Sequence, residues 1–173
     1  MTIAYRDAGP ADAPLLADLS RRTFIETFGH LYSPGDLAAF LPKLSETAWA
    51  ADLANPELQV RLVEDGGEAA GFIKLGPITL PVEPQRPALE LRQLYILRPW
   101  HGLGISHVLM DWVLAHARRR GAQELYLSVW SENHRARRFY ERYGFTYLGP
   151  YAFMVGNHAD EDQVLRLSLK DQE

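Results

Sequence analysis

The stretch RPWHGLGISHVLMDW, residues 98 to 112, carries the clearest chemical signal in the chain: Gly102 and Gly104, one residue apart, ahead of a run with helical periodicity. Bare backbone at a helix start leaves first-turn N–H groups open to an anion, and the helix dipole favours negative charge there. A diphosphate suits such a turn. The same glycines also suit a tight strand-to-helix turn that needs only positive φ angles. Two familiar glycine motifs do not apply. A dinucleotide fingerprint needs a third glycine where His107 stands, and a P-loop needs Gly-Lys-Ser/Thr, which is absent. Further along, Asn133 and Tyr140 lie seven apart, on one face of a helix and ~10.5 Å apart along its axis, so both can face one extended ligand.

The elements that must position these residues are readable on either side. ALELRQLYIL (88–97) is a strand, and a helix runs from about Gly104 to Arg120. Ile105, Val108, Leu109, Trp112 and Val113 form its buried side, Arg118 to Arg120 suit the negative end of its dipole, and Gly121 suits the cap. QELYLSVW is the next strand. Ser131 is an N-cap candidate for the second helix, whose stripe Ala136, Phe139, Tyr140, Tyr143 stops at Gly144. FTYLGPYAFMV and QVLRLSL close the chain as strands.

Upstream, Ile3 and Tyr5 mark a short strand. A helix beginning near Pro10 or Asp12 runs to Phe28, with Leu15, Leu16, Leu19, Phe24 and Phe28 on its apolar side and Gly29 at its end. Two short helices separate around Pro42, and a hairpin turns at Asp65-Gly66-Gly67. Pro77, Pro81, Pro84 and Pro87 make the next stretch a loop rather than a central strand. The order predicts a mixed α/β fold with one strand-helix-strand crossover.

A chain of 173 residues fits one domain, 1–173, with a substantial core. Its net charge of -4 argues against sequence-independent binding to nucleic acid or anionic membranes. The absence of cysteine excludes disulfides, thiolate metal sites and a cysteine nucleophile, and no metal site is expected. The N-terminus lacks a signal-peptide pattern and no run of about 18 apolar residues is present, so a cytoplasmic location is the expectation.

LYILRPWHGLGISHVLM followed by LYLSVWSENHRARRFYERYGF resembles the GNAT superfamily of acetyl-CoA-dependent N-acetyltransferases. That superfamily's second signature is matched by Asn133, Ala136, Phe139, Tyr140, Gly144 and Phe145. Its first, Gln/Arg-x-x-Gly-x-Gly/Ala, is matched in part, with His101, Gly104 and Ser106 at the defining positions. The resemblance covers most of the chain. It implies a GNAT-like fold, a central, mostly antiparallel twisted sheet with flanking helices, and acetyl-CoA as cofactor. By the resemblance, Leu94, Tyr95 and Ile96 would pair with the pantetheine arm. His101, Gly102, Leu103, Gly104, Ile105, Ser106 and His107 would line the pyrophosphate site. Asn133 would contact the cofactor and Tyr140 would sit near its sulfur.

The activity implied is acetyl transfer to a primary amine by direct attack on the thioester. Free N–H groups where the strand near Tyr95 splays from its neighbour suit the oxyanion. Full proton transfer from a phenol with pKa about 10 to a thiolate of about 8.5 is uphill by about 2 kcal/mol, so a hydrogen bond from Tyr140 suffices. TFIETFGHLYSPGDLAAFL and YAFMVGNHADEDQVL look like the bacterial spermidine/spermine N-acetyltransferase branch, in which a glutamate on the central strand is the usual base; here Arg92 takes its place. Glu90, two residues earlier on the same strand face, is the substitute base, acting through water. His101 would add charge near a phosphate only below neutrality. The acceptor is expected to be a small-molecule amine, with a polyamine-like one in doubt beside Arg92. A protein or peptide amine, or a non-catalytic acyl-CoA sensor, are the competing readings. A homodimer stays open.

Overall fold

The computed structural model describes residues 1–169. Seven strands form one sheet in the order β1-β2-β3-β4-β5-β7-β6. They are β1 Ile3–Asp7, β2 Gln59–Asp65, β3 Glu68–Gly76, β4 Ala88–Ile96, β5 Glu124–Trp130, β6 Thr146–Val155 and β7 His158–Ser168. The helices are α1 Ala13–Phe28, α2 Pro34–Phe40, α3 Glu46–Ala54, α4 Ile105–Arg119 and α5 His134–Arg142. Every neighbouring strand pair is antiparallel except β4 with β5, which α4 connects. This is the expected mixed α/β architecture with its single crossover.

The alternating apolar run of β3 and its hairpin partner makes the centre of the core. β3 is buried at every position from Ala70 to Gly76, with α1 and α4 both packed against it. Phe72, Ile73 and Leu75 meet Leu16 and Leu19 of α1, Leu109, Met110 and Val113 of α4, and Leu125 and Leu127 of β5 in one cluster. A second cluster, Phe24, Phe40, Leu44 and Val155, ties the α1–α2 segment to β6.

Two irregularities in β4 open the centre of the sheet. Lys74 pairs with Gln93 and Leu75 with Leu91, so Arg92 is the extra residue of a β-bulge. The parallel ladder joins only Ala88–Glu90 to Glu124–Tyr126. Beyond Glu90 the strands part and the β4 backbone is left without a strand neighbour on that side. Leu97 N donates to Ala70 O at 2.9 Å, toward β3. Alternation then turns the N–H and C=O of Ile96 and Leu94 the other way, into the gap.

Several local expectations need correction. Ser131 does not cap α5: its N–H donates to the Glu161 carbonyl at 2.9 Å, still tied to β7, and the cap is Asn133, whose side chain accepts from Ala136 N at 3.2 Å. Val108 is 45% exposed, because the buried arc of α4 is centred on Ile105, Leu109, Met110, Val113 and Ala117 instead. α1 begins at Ala13, after a 3-10 turn at Pro10–Asp12. β7 starts five residues before the expected QVLRLSL run, at His158, and includes the acidic segment His158 to Asp162. Those polar side chains hide a strand because its buried face carries aspartates.

Candidate active site

Gly102 and Gly104 both have φ of +78°, a conformation that disfavours any residue with a Cβ. Neither would bring a Cβ within 4 Å of another group, so the space over this backbone is open as well. Gly104 has no side chain to cap α4, which leaves its first-turn amides uncapped among the described residues. The turn is held from behind. Trp100 Nε1 donates to Asp65 at 2.9 Å, and Arg98 N donates to Glu26 of α1 at 2.7 Å.

This turn forms one wall of a cleft of about 380 Å³ lined by Leu94, Tyr95, Ile96, Gly102, Gly104, Ile105, Ser106 and His107, and on the far side by α5. From α5 come Asn133, Ala136, Phe139 and Tyr140, at the spacing of one helix face, with Arg135 and Arg142 beside them. Leu103 is the exception among the expected cofactor contacts: its side chain is 46% exposed and does not line the cleft. His107 Nδ1 sits 3.0 Å from the Tyr143 hydroxyl. His101 is a strut rather than a free charge. Arg135 approaches its Nδ1 at 2.9 Å and its Nε2 lies 2.6 Å from the Ile96 carbonyl, so Nε2–H donates to the strand while Nδ1 accepts from the guanidinium.

Tyr140 stands where this cleft meets a smaller cavity of about 120 Å³, and Leu94, Tyr95, Asn133 and Ala136 also border both. Burial pushes the Tyr140 phenol far above its ordinary range, with the neighbouring Tyr95 adding to the effect. Burial likewise raises Tyr95 to about 12. Both phenols therefore stay protonated at neutral pH.

The smaller cavity is walled by Phe24, Phe28, Tyr32, Trp130 and Phe153, with Asp160 and Asp162 from β7. These aspartates are two apart on the strand, so their side chains share a face, and each is only 6% exposed. Tyr32 donates its hydroxyl to Asp160 Oδ2, and His158 Nε2 lies 3.1 Å from Asp160 Oδ1. Burial, reinforced by the Asp160 charge, raises Asp162 to about 7, with a hydrogen bond from Ser128 opposing. Sequence reasoning did not single out Tyr32, His158, Asp160 or Asp162 as site residues. The available signal was the period-two spacing of His158, Asp160 and Asp162.

Glu90, expected as the base, is placed away from both cavities. Its carboxylate accepts from Thr79 N at 2.8 Å, Leu80 N at 3.0 Å and the Thr79 hydroxyl. Arg92 donates to the Pro77 carbonyl at 2.8 and 3.2 Å. Both residues, on the strand face they share, fasten the proline-rich loop to β4. Glu90 is an anchor because its oxygens are already committed to backbone amides and a hydroxyl.

Residues 20–145 match the model of the acetyltransferase (GNAT) family. The chain belongs to that family. It is 30% identical over 160 residues to an N-acetyltransferase of Lactobacillus delbrueckii subsp. lactis, covering 91% of this chain and 92% of that protein. An N-acetyltransferase of Mycobacterium bovis is 32% identical over 155 residues, covering 89% and 96%. Among solved structures, the PaiA N-acetyltransferase of Thermoplasma acidophilum in complex with coenzyme A superimposes with a TM-score of 0.77 at 19% identity. That match covers 97% of this chain and 99% of the other.

Proposed function

We propose that this N-acetyltransferase moves an acetyl group from acetyl-CoA to the primary amine of a small molecule. The observation that carries the reading is the meeting of two cavities at Tyr140, one long and phosphate-suited, the other short, aromatic and acidic. The cleft fits the cofactor on three counts: open left-handed glycines, the strand amides of Leu94 and Ile96 turned into the gap, and Arg135 and Arg142 on the opposite wall. The PaiA enzyme that shares the fold holds coenzyme A. Acetyl-CoA, when bound, supplies a thioester whose carbonyl an amine attacks.

In this reading the glycine turn and the first turn of α4 receive the diphosphate, with Arg135 adding charge-assisted hydrogen bonds. The N–H groups of Leu94 and Ile96, without a strand partner on that side, are donors available to a developing oxyanion. Tyr140 donates a hydrogen bond to the departing thiolate. Its raised pKa makes complete transfer still less favourable than for an ordinary phenol, so the hydrogen bond itself stabilises the leaving group. The small volume of the short cavity, walled by Phe24 and Phe28 of α1 and by Tyr32, supports a small acceptor over a peptide. Paired aspartates support a cationic acceptor, polyamine-like amines included. A cytoplasmic location accompanies the proposal, because the cofactor is supplied there.

Isothermal titration with acetyl-CoA, followed by thiol release over a panel of amines, tests the reading. Micromolar binding and amine-dependent thiol release are expected. Absence of binding would return the glycines to a purely structural role. Arg135→Ala should weaken coenzyme A about tenfold or more, the scale of a lost charge-assisted hydrogen bond. The same titration reads it, and the loss should shrink at high salt.

A further inference from the structure

The short cavity contains more negative charge than its surroundings answer. Asp160 and Asp162 are both buried there, and burial of like carboxylates without a cation is costly. Among the described residues, Arg92 is the one lysine or arginine on the wall, and its guanidinium is turned to the Pro77 carbonyl. The groups facing the pair are Tyr32 from the segment after α1, Tyr95 from β4, Ser128 from β5 and His158 from β7 itself. Tyr32 and His158 are both directed at Asp160, which leaves Asp162 with the Ser128 hydrogen bond. A separate feature of the same wall also lacks its partner. Gln93 Oε1 is wholly buried and accepts no hydrogen bond among the described residues. The aromatic side chains of Phe28, Tyr32 and Trp130 complete the surround. Two carboxylates, an unanswered carbonyl oxygen and aromatic side chains together describe a receptor for a donor-rich cation.

We infer that the missing cation is the acceptor's own ammonium group, that Asp162 takes its proton, and that the cavity selects primary alkylamines bearing no anion beside the nitrogen. The inference rests on the transferase reading and deepens it. The ammonium N–H bond breaks and its proton goes to the Asp162 carboxylate, leaving a neutral amine. The amine's lone pair forms the C–N bond to the acetyl carbon while the C–S bond breaks, and the sulfur leaves with that electron pair. A second proton leaves the nitrogen for the thiolate, under the hydrogen bond from Tyr140, and the proton on Asp162 returns to solvent. The products are the amide, free thiol and one proton. A carboxylate poised near neutrality, as burial makes Asp162, both accepts and releases that proton at cellular pH. Asp160, held by Tyr32 and His158, keeps the cation in place and repels acceptors with an α-carboxylate.

The test uses the full chain with butylamine and its α-carboxylated counterpart, norvaline. In protein saturated with coenzyme A, the ¹³C titration of the Asp162 carboxyl should move to lower pH by about a unit when butylamine is added, the direction an added cation imposes. With acetyl-CoA, kcat/KM for butylamine should exceed that for norvaline by at least ~100-fold, roughly the discrimination expected from unpaired buried charge. Asp162→Asn should lower kcat for butylamine by ~100-fold or more and remove the acidic limb of the pH profile, with acetyl-CoA affinity unchanged. An Asp162 midpoint indifferent to butylamine, equal use of norvaline, or an unaltered profile in Asp162→Asn would overturn the inference. The transferase reading would survive each of those results, since it falls only if the wild-type protein fails to bind acetyl-CoA or releases no thiol with any amine of the panel.

Discussion

Tyr140→Phe should lower kcat by about 100-fold, the scale of a positioned acid, while leaving acetyl-CoA affinity within about twofold. The phenol lies at the junction of the two cavities and is buried, with no hydrogen-bond partner for its hydroxyl among the described residues. A hydroxyl that opens onto a cavity and makes no hydrogen bond within the described protein contributes little to the fold, so its removal should leave stability nearly unchanged. Loss of rate with no loss of stability would separate a chemical role from a packing role, because the ring keeps its edge-to-face contacts with Phe139 and Phe145. Stopped-turnover assays of thiol release alongside thermal melts read both quantities. Full turnover in Tyr140→Phe would remove the tyrosine from the mechanism.

The second large effect is on stability. Asp162 carries a carboxyl raised from 3.8 to about 7 by burial and by the Asp160 charge. A carboxyl whose pKa is higher folded than unfolded contributes stability that is full below pH 4 and lost as pH rises to 7. Above that, the ionised group costs the fold about 2 to 3 kcal/mol, less than the full shift because solvent screens part of the charge. Asp162→Asn escapes this cost. Its melting temperature should exceed that of the wild type at pH 8 by roughly 5 to 10 °C, and the two should converge near pH 4. Melts of both proteins across that range check the sign as well as the size. A variant gaining stability while losing rate would mark Asp162 as a site where function is held at the expense of the fold. No gain at pH 8 would mean that the carboxyl is already compensated within the protein.

Much of the framework is legible without coordinates because it rests on local physics. Gly102 and Gly104 must tolerate a positive φ, and a helix must begin immediately after them; both statements follow from a few neighbouring residues. The face of α5 that presents Asn133, Ala136 and Tyr140 follows from the 3.6-residue period in the same way. Where this local reading missed, a distant strand had the casting vote. Ser131 has the chemistry of a cap, yet its amide is engaged by Glu161 on β7, and the helix waits until Asn133.

The base shows the boundary most sharply. Glu90 and Arg92 do share a strand face, as alternation requires, but the loop from Pro77 to Leu80 folds back and occupies both. Nothing in the spacing along β4 reports that a loop will return to cover it. Asp160 and Asp162 look like a polar turn when read alone, and become an inward-facing acidic pair only when β7 is laid between β5 and β6. Tyr32 reaches Asp160 across 128 residues of chain. The phosphate-suited turn, the helix face opposite it and the order of the elements are properties of the linear chain, since φ preference and periodicity act over a few residues. Which carboxylates line a cavity is a property of the assembled sheet, because burial and charge pairing depend on partners that strand pairing alone brings together.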